Sequence, residues 1–92
     1  MLGYGPVVHD SMNVRLLLFA VLQDIVGSSE ISLQLRPGTS ALEVWQTLRQ
    51  KHHQLLPFPA PPMTAINESY APPETVLRDG DELAFIPPVS GG

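Results

Sequence analysis

The sequence contains no cysteine. That absence removes disulfide stapling, thiolate metal sites and a cysteine nucleophile together, and it suits a reducing compartment such as the cytoplasm. Bases are scarce. Five lysines and arginines stand against nine acids, for a formal charge of −4. Such a balance repels phosphate backbones and argues against nucleic-acid binding. No run approaches the roughly 18 apolar residues that a membrane-spanning helix needs. The start lacks the basic residues and the long apolar middle of a secretory leader, so no export segment is expected. Nothing repeats internally. Ninety-two residues leave room for one domain with one small core.

What is present is an apolar content of 43% and ten prolines. The first figure is too high for a disordered acidic tail. The prolines mark where regular structure must stop. Residues 1–11 carry Gly3, Gly5, Pro6 and His9 without sustained periodicity and read as a loose N-terminal extension. From Val14 to Phe19 the chain reads Val-Arg-Leu-Leu-Leu-Phe, a strand apolar on both faces except at Arg15. A strand covered on both faces belongs in the middle of a sheet. Ala20 to Val26 reads as a short helical turn with Gly27 as its stop. Ile31, Leu33 and Leu35 then alternate with Ser32, Gln34 and Arg36, which predicts a half-buried strand antiparallel to the first.

Pro37-Gly38 ends that strand, and Ser40 with Glu43 has the spacing of a capping box. Behind it Ala41, Val44, Trp45 and Leu48 recur at helical spacing, with His52 continuing the face, so a helix is predicted over residues 40–52. Residues 56–62 hold four prolines and must be an extended loop. Short extended pieces follow at Thr64–Asn67 and Thr75–Leu77, then turn chemistry at Arg78-Asp79-Gly80-Asp81 and a closing strand at Glu82–Ile86. One main helix covering one face of a mixed sheet of four to five strands is an α+β, β-grasp (ubiquitin-like) order. In it the first and last strands lie parallel at the sheet centre. The expected organisation is an extension over residues 1–11, a domain over 12–86 and a flexible tail over 87–92.

The residues offer few enzyme parts. His9, His52 and His53 have no carboxylates at metal-ligand spacing, and His52 reads as the end of the core helix. The serines lack a nucleophile elbow. Gly3 and Gly5 make no phosphate loop, because no strand precedes them and no lysine follows. Asp79, Asp81 and Glu82 read first as a solvated turn and second as an attraction for a basic partner. By elimination the domain carries no active site of its own.

The sequence closes on Pro87-Pro88-Val89-Ser90-Gly91-Gly92. Glycine has no Cβ, so a Gly-Gly end can thread a channel too narrow for other residues and present a bare carboxylate. Ordering six residues costs roughly 6–12 kcal/mol, and Pro87 and Pro88 lower that cost by being extended beforehand. The tail reads as one built for insertion into a partner.

The run from Asp79 to Gly92 strongly resembles the MoaD family, the small subunits of molybdopterin synthase, within the ubiquitin-like ThiS–MoaD superfamily. Leu18-Phe19-Ala20 followed by Gly27, and Ala65-Ile66-Asn67-Glu68, fall where that family has further signatures. The Pro-Pro pair separates it from ThiS-type carriers for thiamin thiazole synthesis, which share the Gly-Gly end. The resemblance implies a cytoplasmic sulfur carrier that binds no permanent cofactor. Its Gly92 carboxylate, presented with Gly91, would be adenylated by a MoeB-type activating enzyme, with transient AMP at the C-terminus. Conversion to a thiocarboxylate would follow. The tail would then enter the MoaE-type large subunit, in a heterotetramer, and donate sulfur to cyclic pyranopterin monophosphate. The resemblance also places Phe19, Tyr70 and Ile86 in an apolar docking patch, with Pro87, Pro88, Val89 and Ser90 as tail contacts. On the residues alone, the alternative is that Phe19 and Ile86 are ordinary core residues, although alternation puts Phe19 on the same face as Leu17, which could be the docking face. One departure is Gln23-Asp24, which stands where the family commonly has Arg-Glu. Two rival functions remain open, a ThiS-like or promiscuous carrier and a ubiquitin-like modifier joined through Gly92. An interaction module with an inert tail is the bland alternative.

Overall fold

The computed structural model describes residues 11–58 and 63–87. The chain runs β1 (Met12–Leu18), α1 (Ala20–Val26), β2 (Glu30–Leu35) and α2 (Ala41–Lys51), then a single 3₁₀ turn at His53–Leu55. β3 (Met63–Ile66), β4 (Ser69–Tyr70) and β5 (Glu82–Ile86) complete it. The sheet order is β2-β1-β5-β3-β4. β1 pairs antiparallel with β2 and parallel with β5, while β3 pairs antiparallel with both β5 and β4. This is the β-grasp order, a five-stranded mixed sheet with one main helix on one face.

The core lies between that helix and the sheet. Met12, Val14, Leu16 and Leu18 of β1 and Leu83 and Phe85 of β5 are buried on the helix side. They meet Ala41, Val44, Trp45 and Leu48 of α2, joined by Leu22, Leu55 and Leu77. Trp45 sits edge-on to Phe85 at 5.4 Å and to Phe58 at 6.5 Å between ring centroids, the arrangement that ring quadrupoles favour. The N-terminus of α2 is closed as its sequence predicts. Ser40 accepts from the Glu43 N–H at 3.2 Å, and Glu43 accepts from the Ser40 N–H at 2.8 Å. Gly27 ends α1 in the left-handed region, at φ 91°, and donates to the Gln23 carbonyl at 2.8 Å.

Several expectations are corrected. β1 is central but is not covered on both faces: its burial alternates, with Asn13 and Arg15 exposed and Leu17 half-buried. The continuous apolar run arises because its second face contributes Leu17 to an open surface. The strand also starts earlier, at Met12, and stops before Phe19, which becomes the N-cap of α1. The helix after Pro37-Gly38 spans Ala41–Lys51, with Ser40 and His52 as its caps. Leu55, fully buried in the 3₁₀ turn, is a core residue that the proline-rich context concealed. Met63, rather than Thr64, begins β3, and β4 is a strand of two residues that its length hid. Thr75–Leu77 contributes only an isolated bridge, Val76 with Ser40. The extension before Ser11, the end of the proline loop at 59–62 and the tail from 88 onward lie outside the described residues.

Removing either large ring from the core tests the packing. Trp45→Ala or Phe85→Ala is expected to lower unfolding stability by about 3–5 kcal/mol. Ser40→Ala is expected to lower it by about 1 kcal/mol. Urea denaturation followed by circular dichroism reads all three.

Candidate functional site

Cross-strand partners share a face of a sheet, so the register defines the surface opposite α2. Arg15 lies beside Glu82, Leu17 beside Ala84, Ala84 beside Ala65, Ile86 beside Met63, and Ala65 beside Tyr70. On the β2 side of the same face Leu17 neighbours Glu30 and Arg15 neighbours Ser32. The open face therefore divides in two. Its β2 side is polar, built from Asn13, Arg15, Glu30, Ser32, Gln34 and Glu82. Its other side is apolar and runs through Leu17, Ala84, Ile86, Met63 and Ala65 to Tyr70.

The apolar half is exposed where side chains are large. Met63 is 48% exposed and Tyr70 74%, whereas Ala65, between Ala84 and Tyr70 in the register, is buried. Phe19 stands at the end of β1, 45% exposed. Its placement is local: Phe19 is still extended, at φ −122° and ψ 153°, and Ala20 then takes a left-handed conformation, at φ 52°, that turns the chain into α1. Because β1 and β5 are parallel and Leu18 pairs with Phe85, Phe19 and Ile86 follow at the same end of the sheet. Pro87, the first tail residue, leaves from that end.

The polar half is organised around Arg15, which hydrogen-bonds Glu82 and lies 3.5 Å from Glu30. The hydrogen bond it donates to Glu82, and then the charges of Glu82 and Glu30, hold the guanidinium above its ordinary pKa. This leaves the polar half with a neutralised centre rather than a free cation.

Turn residues hold the strands in place. Asn67 and Glu68 both have positive φ, at 52° and 70°, the requirement of a type I′ hairpin turn between β3 and β4. The Asn67 side chain donates to Asp81 at 2.9 Å and accepts from the Glu82 N–H at 3.0 Å. Asp79 accepts from the Asn13 N–H at 2.7 Å, and Asp81 accepts from the Arg78 N–H at 2.8 Å. The two aspartates of the Arg78–Asp81 turn thus satisfy backbone and turn donors, and they connect β1, β3 and β5.

The structure brings together three residues singled out from the sequence, Phe19, Tyr70 and Ile86, along one apolar surface. Leu17 belongs to the same surface, as strand alternation from Phe19 indicates; Met63 and Ala84 belong to it too and were missed. Met63 was not recoverable, because its neighbour Ile86 is remote in sequence and only the β3–β5 register joins them. Pro88, Val89, Ser90, Gly91 and Gly92 lie outside the described residues, as does His9. His52 caps α2, and His53 opens the 3₁₀ turn.

The ThiS family model matches residues 16–92. The chain belongs to the ThiS family. Among curated relatives of this ThiS-family chain, the Molybdopterin synthase sulfur carrier subunit of Mycobacterium tuberculosis is 33% identical over 82 residues, covering 88% of this chain and 99% of that one. The protein of the same description from Drosophila yakuba is 36% identical over 91 residues, covering 96% of each chain. Among solved structures, the Haloferax volcanii HVO 2177 protein superposes with a TM-score of 0.79 at 23% identity, over 90% of this chain and 89% of that one. Small archaeal modifier protein 1 from Methanosarcina acetivorans gives 0.72 at 27% identity, over 89% and 98%. A chain from the complex of subunits 1 and 2 of Molybdopterin-converting factor from Helicobacter pylori gives 0.56 at 22%, over 88% and 100%. The fold is thus shared with proteins of 22–27% sequence identity.

Exposure separates surface roles from structural ones. Tyr70→Ala is expected to change unfolding stability by no more than about 0.5 kcal/mol. Asn67→Ala is expected to lower it by about 1–3 kcal/mol, through the lost side-chain bonds and the left-handed backbone. Thermal and urea unfolding of the two variants, compared side by side, checks the contrast.

Proposed function

We propose that this chain is a sulfur carrier in molybdenum cofactor biosynthesis, the small subunit of a molybdopterin synthase. The observation that carries this reading is the family match, which runs through Gly91-Gly92 on a domain whose tail leaves beside an exposed apolar surface. The relatives' shared description as sulfur carrier subunits supports it.

In this reading the Gly92 carboxylate attacks the α-phosphate of ATP on an activating enzyme and pyrophosphate leaves. A bare carboxylate is a poor acyl electrophile, whereas the acyl adenylate has AMP as a competent leaving group. Sulfur from a donor then displaces AMP, and the tail ends in a thiocarboxylate. Inserted into a large subunit, the tail donates that sulfur to cyclic pyranopterin monophosphate, and two such transfers build the dithiolene. Gly91 and Gly92 suit a narrow channel for want of Cβ atoms. Pro87 and Pro88 limit the entropy lost on insertion, and Val89 and Ser90 line the entry. The acid–base groups for each step belong to the partner enzymes, and the carrier works in the reducing cytoplasm that its cysteine-free sequence suits.

Phe19, Leu17, Met63, Tyr70 and Ile86 form the docking surface for the large subunit and for the activating enzyme. Aromatic residues and methionine are enriched at such interfaces. Both partners must receive the same tail, and a surface beside its root aims it. The large-subunit complex is a heterotetramer with two copies of each chain.

A second reading, conjugation of Gly92 to lysines of other proteins, is favoured by the likeness to small archaeal modifier protein 1 at 27% identity. A ThiS-like carrier for thiazole synthesis differs in the large partner that co-purifies.

Intact mass separates the sulfur-carrier readings from the others. Incubated with the activating enzyme, ATP and a sulfur donor, the chain is expected to gain the mass of one oxygen replaced by sulfur, mapped to Gly92. An unchanged mass with active partners would transfer support to the modifier or to an interaction module with an inert tail, and a ladder of heavier conjugates in lysate to the modifier. Deleting Gly92 is expected to leave the unfolding midpoint unchanged and to abolish sulfur transfer. Met63→Asp is expected to weaken large-subunit binding about tenfold to a hundredfold in calorimetry while the isolated domain stays folded.

A further inference from the structure

Among the described residues β2 is an edge strand, with β1 on one side and no strand on the other. Natural edges are commonly blunted by proline, lysine, a bulge or a covering element. The six residues of β2 contain neither proline nor lysine, and their pairing with β1 runs without interruption from Leu35 to Glu30. The Leu18 N–H donates to the Ser29 carbonyl at 2.9 Å, which sets the hydrogen-bonding parity of the ladder. Ile31, Leu33 and Leu35 therefore turn their backbone groups toward β1. Glu30, Ser32 and Gln34 turn theirs outward, ready to receive another strand.

The order of residues along this edge is self-complementary. An antiparallel copy centred on Leu33 sets Ser32 opposite Gln34, Ile31 opposite Leu35 and Glu30 opposite Arg36. Each pairing keeps side chains of like character on the same face. Within β2 the outward-pointing backbone groups of Ser32 and Gln34 meet one another in this register, while the Arg36 carbonyl, just beyond the strand, stays bonded to Thr39. The two-fold axis brings Arg36, the residue that follows β2, to Glu30 of the other copy twice, and opposite charges facing across the seam attract. Among the described residues, the ion pairs within the chain are made by Arg15, leaving Arg36 without one.

The helix side of the edge also fits this occupant. A groove of about 320 Å³ runs between β2 and α2, lined by Leu33, Leu35, Val44 and Leu48, with Arg36 and Lys51 beside it. In the paired sheet, Ile31, Leu33 and Leu35 of the second copy lie on this same face and extend the apolar lining.

We propose that the β2 edge is a homotypic interaction surface, on which two copies of this chain pair antiparallel about Leu33 into one continuous sheet. The isologous geometry closes the assembly at two copies. The pairing leaves the apolar surface on β5, β3 and β4 open, because β1 stands between that surface and the β2 edge.

Sedimentation velocity at low ionic strength tests this, from about 10 µM to about 1 mM, the range in which a small interface registers. The full chain is expected to shift from monomer to dimer across it. Ser32→Pro removes an outward N–H and none of the bonds to β1, so it is expected to stay folded by circular dichroism and to remain monomeric. Arg36→Glu and Glu30→Arg, each alone, are expected to weaken dimerisation about tenfold through like charges facing across the axis. Mixed in equal amounts, these two variants restore both opposite-charge pairs, and the mixture is expected to dimerise like the unaltered chain. A monomer at every concentration would overturn the proposal. So would a dimer indifferent to Ser32→Pro, or a mixture no tighter than its components.

Discussion

The parallel pairing of β1 with β5 is the constraint on which the rest of the structure depends. Leu16 beside Leu83 and Leu18 beside Phe85 supply the centre of the core, against which α2 lays Trp45. The same pairing has a consequence at the surface. Parallel strands end at the same edge, so the residue after β1 and the last residue of β5 emerge together. Phe19, Ile86 and the root of the tail at Pro87 share one end of the molecule for this reason alone. An antiparallel arrangement of the same two strands would have put them at opposite ends.

The period of a strand then turns one sequence into two surfaces. Alternate residues of β1 and β5 are buried under the helix, and the residues between them build the open face. That face is polar toward β2, where Arg15 is held by two carboxylates, and apolar toward β4. The apolar half adjoins the end of the sheet at which Pro87 follows β5. The polar half, continuous with the free edge of β2, is available for a different contact. The edge of β2 contributes no residue to the apolar half, so the two contacts need not compete.

Much of this was legible beforehand. The capping box at Ser40 and Glu43, the glycine stop at Gly27 and the closing strand Glu82–Ile86 depend on interactions within a few residues, and local chemistry shows directly in sequence. Other features were misread for physical reasons. Five apolar positions in β1 and at its end looked like burial on both faces, because an exposed docking-type surface and a buried face use the same residue types. Leu55 was hidden by the prolines that follow it, and β4 by having only two residues. For Phe19 and Ile86 residue type left a core reading beside the docking one, and the structure leaves Phe19 exposed and Ile86 half-buried.

By itself, the sequence determined the local pieces: where helices start and stop, which strands alternate, and the chemistry of a Gly-Gly end. These are set by side-chain period, by backbone freedom at glycine and proline, and by hydrogen bonds between near neighbours. The tertiary structure alone decided which pieces meet. The register of β3 on β5 brought Met63 to Ile86, and the turn bonds of Asn67 with Asp81 and Glu82 secured the opposite end of the same strand pair. Register is a property of pairs remote along the chain, and packing against the helix is what selects it.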